Sequence, residues 1–409
     1  MKRLLSIGLT LILALTVLPA ISLGEGVTLN VWTNMTGVVN ETFAQVCQEF
    51  TAETGIAIDY AAPANDYEAL MKNKMATQDL PDVWSTHGWS VIRYSSFMRP
   101  LNDQPWVGDI AEFIKPIITD GDGNVFVLPV DIDIAGVVYN RDILAECGID
   151  VDSIITWADF EAACEVIKEA GYIPVYLGGK DDWTIGQFFD WVAPSFYVTN
   201  EADNDRDALM DGSFDWSKWA AIANMFAKWN EAGYLNVDAA TSDYATCTSE
   251  LGNGKVAFEF FGNYAIVDAN SAGPANLGMM PIPAFHEGDT PTLIAGERLA
   301  VGMWKDSPHP EEALLFLSYL ARPDVMSRLA SANGAPAGLN GVESDTGAVA
   351  ADFEKYVDVR TFPYFDRIYL PNGMWNDLCA TGLGILNGSM DTDTIVDYMR
   401  ESYLEKIGQ

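Results

Sequence analysis

Two carboxylates stand out in the chain. The stretch "PVDIDIAGVVYNRDIL" (129–144) is apolar apart from a few positions, yet it holds Asp131 and Asp133 two residues apart. Residues i and i+2 of a strand point to the same face, so both acids project the same way, with backbone positions roughly 6.5–7 Å apart. That approaches the separation of a glycosidase acid–base pair, roughly 5–9.5 Å. The same pair could instead hold hydroxyl groups without changing them, since ionised carboxylates accept hydrogen bonds. Catalysis of glycoside cleavage needs carboxylates that flank the scissile bond from opposite sides, and two acids on one strand face are poorly placed for that.

Other chemistries have weaker support. The three histidines, His87, His286 and His309, are far apart and form no HExxH, which disfavours zinc. There is no GxGxxG after a strand, no GxxxxGK[ST] and no GxSxG. No cofactor is expected. Asp120, Asp122 and Asn124 fall at the first positions of a calcium-loop pattern, but Val125 stands where the loop needs Gly, and a hairpin turn at Asp122-Gly123 accounts for them with less. What remains is aromatic and amide chemistry. Flat rings pack under the C–H faces of sugars, while acids and amides share hydroxyl protons. Trp32, Trp84, Trp89, Trp183, Tyr264, Trp304 and Trp375 lie near strand or loop ends, with Asn34, His87, Asn263, Glu297, Arg298 and Asn376 close by in sequence. Trp84, Trp157 and Trp216 read as core. Trp32 and Trp375 fit core and site equally well.

Composition bounds the function. The chain has 409 residues, 49% hydrophobic, with a net charge of −35. Such acidity excludes a nucleic-acid partner and opposes binding to an anionic membrane surface. Met1-Lys2-Arg3 followed by an apolar run from Leu4 to Leu18 and the small residues of "PAISLGEG" has the form of a secretory signal peptide, assigned to 1–24. The five cysteines form no CxxC pair. Cys147 and Cys164 are near enough in sequence to bond in an oxidising compartment, and Cys47 reads as a buried free thiol.

The elements that must position these residues alternate. "VTLNVWTN" (27–34) alternates as a strand. Val39, Phe43, Val46, Cys47 and Phe50 then recur at helical spacing up to Gly55. "IAIDYAA", "DYEALMKNKMATQ" and "LPDVWST" continue a β-α-β-α-β order, which predicts a mostly parallel sheet covered by helices. The spacing predicts a helix over 156–172, started by a Thr156/Asp159 capping box. Residues 184–240 read as helical, 254–266 and 277–285 as strands, 296–304 as one further strand, and 310–321, 323–335 and the last forty residues as helices. In open α/β sheets ligands bind beyond the carboxyl ends of strands, where Trp32-Thr33-Asn34 and Ser85-Thr86-His87 fall.

Five stretches in order carry a resemblance: "LNVWTN"; "FTAETGIAIDYAA…YEALMKNKMATQDLPDVWST"; "LPVDIDIAGVVYNRDILAECGID…TWADFEAACEVIKEAGYIPVYLGG"; "GNGKVAFEFFGNYAI…GMMPIPAF"; and "AVGMWKDSPHPEEALLFLSYLARPDVMSRLASANGAPAG". Together they resemble the extracellular solute-binding proteins of carbohydrate-importing ABC transporters, across essentially the whole mature chain. The resemblance implies a two-lobed, periplasmic-binding-protein-like α/β fold with hinge crossovers and a ligand cleft. Lobe 1 would hold 25–131 and 288–320, and lobe 2 would hold 132–287 and 321–409. It implies a monomeric periplasmic protein that binds a neutral sugar and delivers it to membrane permease subunits. Asp131 and Asp133 would grip hydroxyls at the first crossover. Trp32, Asn34, Thr86, His87, Asn263, Tyr264, Glu297, Arg298 and Trp375 would complete the ligand site. Tyr264 stands where a stacking Trp is usual, and the lipid-attachment Cys of some relatives is missing. A polyamine, a metal chelate or a peptide is the alternative ligand on the same fold.

Overall fold

The computed structural model describes residues 26–63, 66–86, 94–112 and 114–408. The segment 1–24 expected as a signal peptide, and His87 and Trp89, lie outside the described residues. Twelve strands fall in three sheets: β1 (Thr28–Trp32), β2 (Ala57–Ala61), β3 (Val83–Thr86), β4 (Val127–Pro129), β5 (Ile132–Ala135), β6 (Val137–Asn140), β7 (Ile173–Val175), β8 (Val256–Glu259), β9 (Leu277–Met280), β10 (Leu293–Glu297), β11 (Ala300–Met303) and β12 (Thr361–Pro363).

The first lobe is built on the order β2-β1-β3-β11-β4. β1 runs parallel to β2 and β3, while β11 is antiparallel to β3 and β4. The helix Gly37–Thr54 lays Val39, Phe43, Val46, Cys47 and Phe50 into this core and stops at Gly55, whose φ of 79° continues no α-helix. The second lobe is built on β7-β8-β6-β9. Its capping box forms as expected: Thr156 accepts from the Asp159 N–H, and Asp159 accepts from the Thr156 N–H. The helix Trp157–Glu169 that follows presents Trp157, Phe160 and Ile167 to a core dense in rings. Trp157 and Trp216, and Trp84 in the first lobe, are buried as read.

Three crossings join the lobes. Ile132 packs in the first core and Ala135 in the second, within one strand. Ile294 packs in the second core and Leu299 in the first, so the strand expected over 296–304 is interrupted at 298–299. The stretches on both sides of that break are continuous buried runs, LIAGE and AVGM, which hides it from pattern reading. The third crossing runs between Leu339, in the first core, and Val349, in the second. The helix Pro323–Ala332, expected with lobe 2, sends Val325, Met326 and Leu329 into the first core, because its apolar stripe faces the helix Gly37–Thr54. Segment 288–297, expected with lobe 1, supplies Ile294 to the second core. A small sheet, β12-β10-β5, spans the crossings. β10 is antiparallel to β5, pairing Gly296 with Asp133, and parallel to β12.

All five cysteines are free, so the Cys147–Cys164 pairing is not formed. Burial pushes the Cys47 thiol up to about 12, which keeps it protonated and unreactive. The Asp120 carboxylate accepts from the Asp122 and Asn124 backbone N–H groups and from the Asn124 amide, so this loop is a hydrogen-bonded turn. Among the described residues no His/Cys/Asp/Glu cluster fit for a metal occurs. No helix among them is long and apolar enough to cross a membrane.

Candidate functional site

Six of the expected site residues converge where the lobes cross: Asp131, Asp133, Asn263, Tyr264, Glu297 and Arg298. Asp131 precedes β5 and is fully buried. Its Oδ1 accepts the Leu299 N–H at 2.7 Å, and its Oδ2 accepts the Asn333 amide at 2.7 Å. Asn333 in turn accepts from Arg298 through its Oδ1. Asp131 therefore clamps the first crossing to the second and to the end of the helix Pro323–Ala332. Both oxygens of Asp131 thus already accept a hydrogen bond from within the protein.

Asn263 opens the helix Asn263–Ala272 and reaches across in the same way. Its Oδ1 accepts the Ile134 N–H at 3.2 Å, and its Nδ2 donates to the carbonyls of Asn333 and Gly334 at 3.3 and 3.0 Å. Tyr264, next on that helix, donates its hydroxyl to Gln187 at 3.0 Å and carries the Arg298 guanidinium over its ring, 4.4 Å from the centroid. One face of the expected stacking ring is thus already occupied by a cation.

Asp133 accepts the Tyr364 hydroxyl at its Oδ2, 2.7 Å away. Its Oδ1 lies against Gly262, where a Cβ would come within 2.1 Å of it. Arg367 packs over the Tyr364 ring at 3.7 Å and ion-pairs Glu297 at 3.2 Å, joining β10 to the segment after β12. Burial raises the Asp131 carboxyl to about 6, against the pull of Arg298, the Leu299 N–H and Asn333. Burial also raises Asp133, opposed by Arg298, Tyr364 and Arg367.

The remaining candidates stand apart from this network. Trp32, half-buried at the end of β1, has the Lys74 ammonium 4.8 Å from its ring centroid. Asn34 exchanges hydrogen bonds with Ser85, so the loops after β1 and β3 are tied together. Thr86 ends β3, and its side chain lies outside the described residues, as does His87. Trp375, half-buried on the helix Met374–Leu386, faces Gly186, whose hydrogens leave room for the indole edge. Trp183 is also half-buried and belongs to a ring cluster with Tyr244 (4.9 Å) and Phe261 (5.8 Å), which Tyr264 closes at 6.4 Å from Phe261.

Sequence reading missed Asn333, Tyr364, Arg367 and Gln187. No local pattern marks them. A weak signal existed in "FPYFDRIYL" (362–370), where polar and charged residues interrupt an aromatic run. The arrangement is one of holding: amides, carboxylates and guanidinium groups fix the crossing strands.

Comparison with known proteins identifies the family. The chain is 35% identical over 361 residues to the melibiose/raffinose/stachyose-binding protein MelE of Bacillus subtilis, covering 87% of this chain and 84% of MelE. A sugar transporter protein of Bacillus licheniformis, solved in complex with stachyose, is 33% identical with a TM-score of 0.85, over 93% of this chain and 100% of that one. A binding protein of Bacillus subtilis in an open conformation is 33% identical with a TM-score of 0.84, over 93% and 98% of the two chains. The family profile described as bacterial extracellular solute-binding protein matches residues 36–327, and the chain belongs to that family.

Proposed function

We propose that this protein is the sugar-capturing subunit of an ABC importer and that its ligand is an oligosaccharide of the melibiose–raffinose–stachyose type. The observation that carries the reading is similarity to MelE along most of both chains. A neutral, hydroxyl-rich ligand suits an acidic protein whose half-buried indoles offer apolar faces. Solute-binding proteins hold their ligand and do not convert it.

In this reading the two lobes, 26–132 with 299–339 and 135–294 with 349–408, close on the sugar about the β5–β10–β12 sheet. Trp32, Asn34, Thr86 and His87 contribute from lobe 1. Trp375, Trp183 and Tyr264 contribute from lobe 2. Asp133 is the acid nearest the ligand, and Asp131, Asn263, Glu297 and Arg298 hold the crossing in register. The ligand stabilises the closed form by its differential affinity for it. The closed protein, exported by its N-terminal signal and acting as a monomer, presents both lobes to permease subunits outside the cytoplasmic membrane.

Isothermal titration of the mature protein with melibiose, raffinose, stachyose and maltotriose tests this. Saturable one-site heat with the first three and none with maltotriose is expected. Heat with maltotriose alone, or with none of the four, overturns the ligand assignment. Heat that continues beyond one equivalent overturns the binding mechanism.

A further inference from the structure

Five Asn-Gly pairs occur in the chain, beginning at Asn253, Asn333, Asn340, Asn372 and Asn387. In such a pair the glycine nitrogen can attack the side-chain amide carbon of the asparagine, because no Cβ on the glycine blocks the approach. The fold treats the five pairs differently. Asn253, Asn333 and Asn387 are the C-caps of the helices Tyr244–Gly252, Pro323–Ala332 and Met374–Leu386. The glycines that follow them have φ values of 72°, 59° and 70°. Each donates its N–H back into its own helix, to the carbonyls of Leu251, Ser331 and Ile385 at 3.0, 3.0 and 3.1 Å. The three side chains are held as well. Asn253 donates to the Ser249 carbonyl at 2.7 Å, Asn387 accepts the Ser389 N–H at 2.9 Å, and Asn333 donates to Asp131 at 2.7 Å.

Asn372 stands at the opposite end of a helix. It is exposed and precedes Gly373, the N-cap of Met374–Leu386, which makes no side-chain cap. Among the described residues neither the Asn372 side chain nor the Gly373 N–H has a hydrogen-bond partner. The helix dipole widens the difference. The attacking nitrogen must first lose its proton, and the resulting anion is favoured at the positive N-terminus of a helix and disfavoured at the negative C-terminus. Gly373 has the first environment; Gly254, Gly334 and Gly388 have the second. Asn340 is intermediate. It lies in a turn away from helix ends, its side chain reaches the Ile110 carbonyl only at 3.5 Å, and the Gly341 N–H has no partner among the described residues.

We propose that Asn372-Gly373 is a self-modification site, where the Gly373 nitrogen attacks Asn372 Cγ and converts it to aspartate and isoaspartate ahead of the helix-capping Asn-Gly pairs. The Gly373 proton passes to solvent base, the N–Cγ bond forms and the Cγ–Nδ2 bond breaks. The side-chain nitrogen leaves as ammonia after taking a proton from water. One water then opens the cyclic imide at either carbonyl, and no electrons are transferred. The site joins two functional segments. On its N-terminal side Tyr364 and Arg367 hold Asp133 and Glu297 at the crossing strands. On its C-terminal side runs the helix that carries Trp375. Isoaspartate routes the main chain through Cβ and so inserts one methylene between them. Aspartate places a carboxylate at the positive end of that helix, where an acid is favourable.

The inference stands on backbone geometry and does not depend on which ligand is bound. Peptide mapping by mass spectrometry of the native mature protein, held at pH 8 and sampled over time, tests it. Each pair is read by the mass gained when its amide becomes an acid. Two hydrogen bonds must be given up at Asn253 and at Asn387 and none at Asn372, so Asn372 should convert roughly tenfold to a hundredfold faster than either. In concentrated urea, which removes the helices, the five pairs should convert at similar rates. Asn372→Gln, a change at an exposed position, should remove the first acidic species to form. Conversion of Asn372 no faster than that of Asn253 and Asn387 in the native protein, or the same spread of rates in urea, overturns the proposal.

Discussion

The Asn333 side chain donates to Asp131 Oδ2 at 2.7 Å while its carbonyl oxygen receives Arg298, so one amide at the end of the helix Pro323–Ala332 ties the first crossing to the second. Asp131 must accept twice in this arrangement, from Leu299 N–H and from Asn333 Nδ2. An amide at position 131 can accept only through its oxygen. Flipping Asn333 to compensate would turn its Nδ2 toward Arg298. Asp131→Asn is therefore expected to cost roughly 1–3 kcal/mol, the penalty of a buried group left without its partner. The urea midpoint at pH 7 reads this, and an unchanged midpoint would remove Asp131 from the hinge clamp.

Gly262 is required by proximity, since its φ of −77° suits any residue. A methyl group there would stand 2.1 Å from Asp133 Oδ1 and 2.8 Å from Tyr264 Cε1. Gly262→Ala should destabilise by about 1–3 kcal/mol through overpacking. The loss should shrink by about 1 kcal/mol or more in an Asp133→Ala background, since directly touching residues couple. Additive losses in the double-mutant cycle would show that the two do not touch.

Glu259 ends β8 fully buried, with no hydrogen-bond partner for either carboxyl oxygen among the described residues. Burial raises it well above the usual value of 4.5, so the fold carries it as a neutral acid. Its favourable contribution is complete below the unfolded pKa and declines as pH rises toward the folded value. Glu259→Met should raise stability at pH 8 by roughly 1–3 kcal/mol, the cost of an unsatisfied buried polar group. The gain should be smaller at pH 4. Melting curves at the two pH values check this, and a variant less stable at both would mean that Glu259 has a partner.

Trp375 and Trp183 are half-buried, and each offers an indole to a bound sugar in the proposed reading. Trp375→Ala should weaken raffinose binding by about 2 kcal/mol, the scale of a stacking hot spot. A loss below about 0.5 kcal/mol in titration calorimetry would assign Trp375 to packing against Gly186 instead.

Lys74 lies over Trp32 at 4.8 Å from the ring centroid. If the Trp32 ring contacts sugar, Lys74→Met should alter raffinose affinity by roughly twofold to fivefold, on the scale of one cation–π contact of about 0.5–1 kcal/mol. Equal affinity in both proteins would place the Lys74–Trp32 pair outside the ligand site.

Much of the local structure could be read from the chain itself. The helix from Trp157, its capping box, the stop at Gly55 and the β-α-β-α-β opening follow from periods of 3.6 and 2, which a helix or strand imposes on neighbouring residues. The two same-face aspartates were visible for the same reason. Their roles were not. Asp131 depends on an amide 202 residues away and Asp133 on a phenol 231 residues away. The break at Arg298-Leu299 and the allegiance of the Pro323–Ala332 helix were equally hidden. An apolar stripe announces that it will be buried, but not against which lobe. Element type and the family resemblance were thus determined by sequence. The ionisation of the hinge acids, the partners that occupy them and the paths of the three crossings were decided by tertiary structure, because burial and long-range pairing set the energy of a charge.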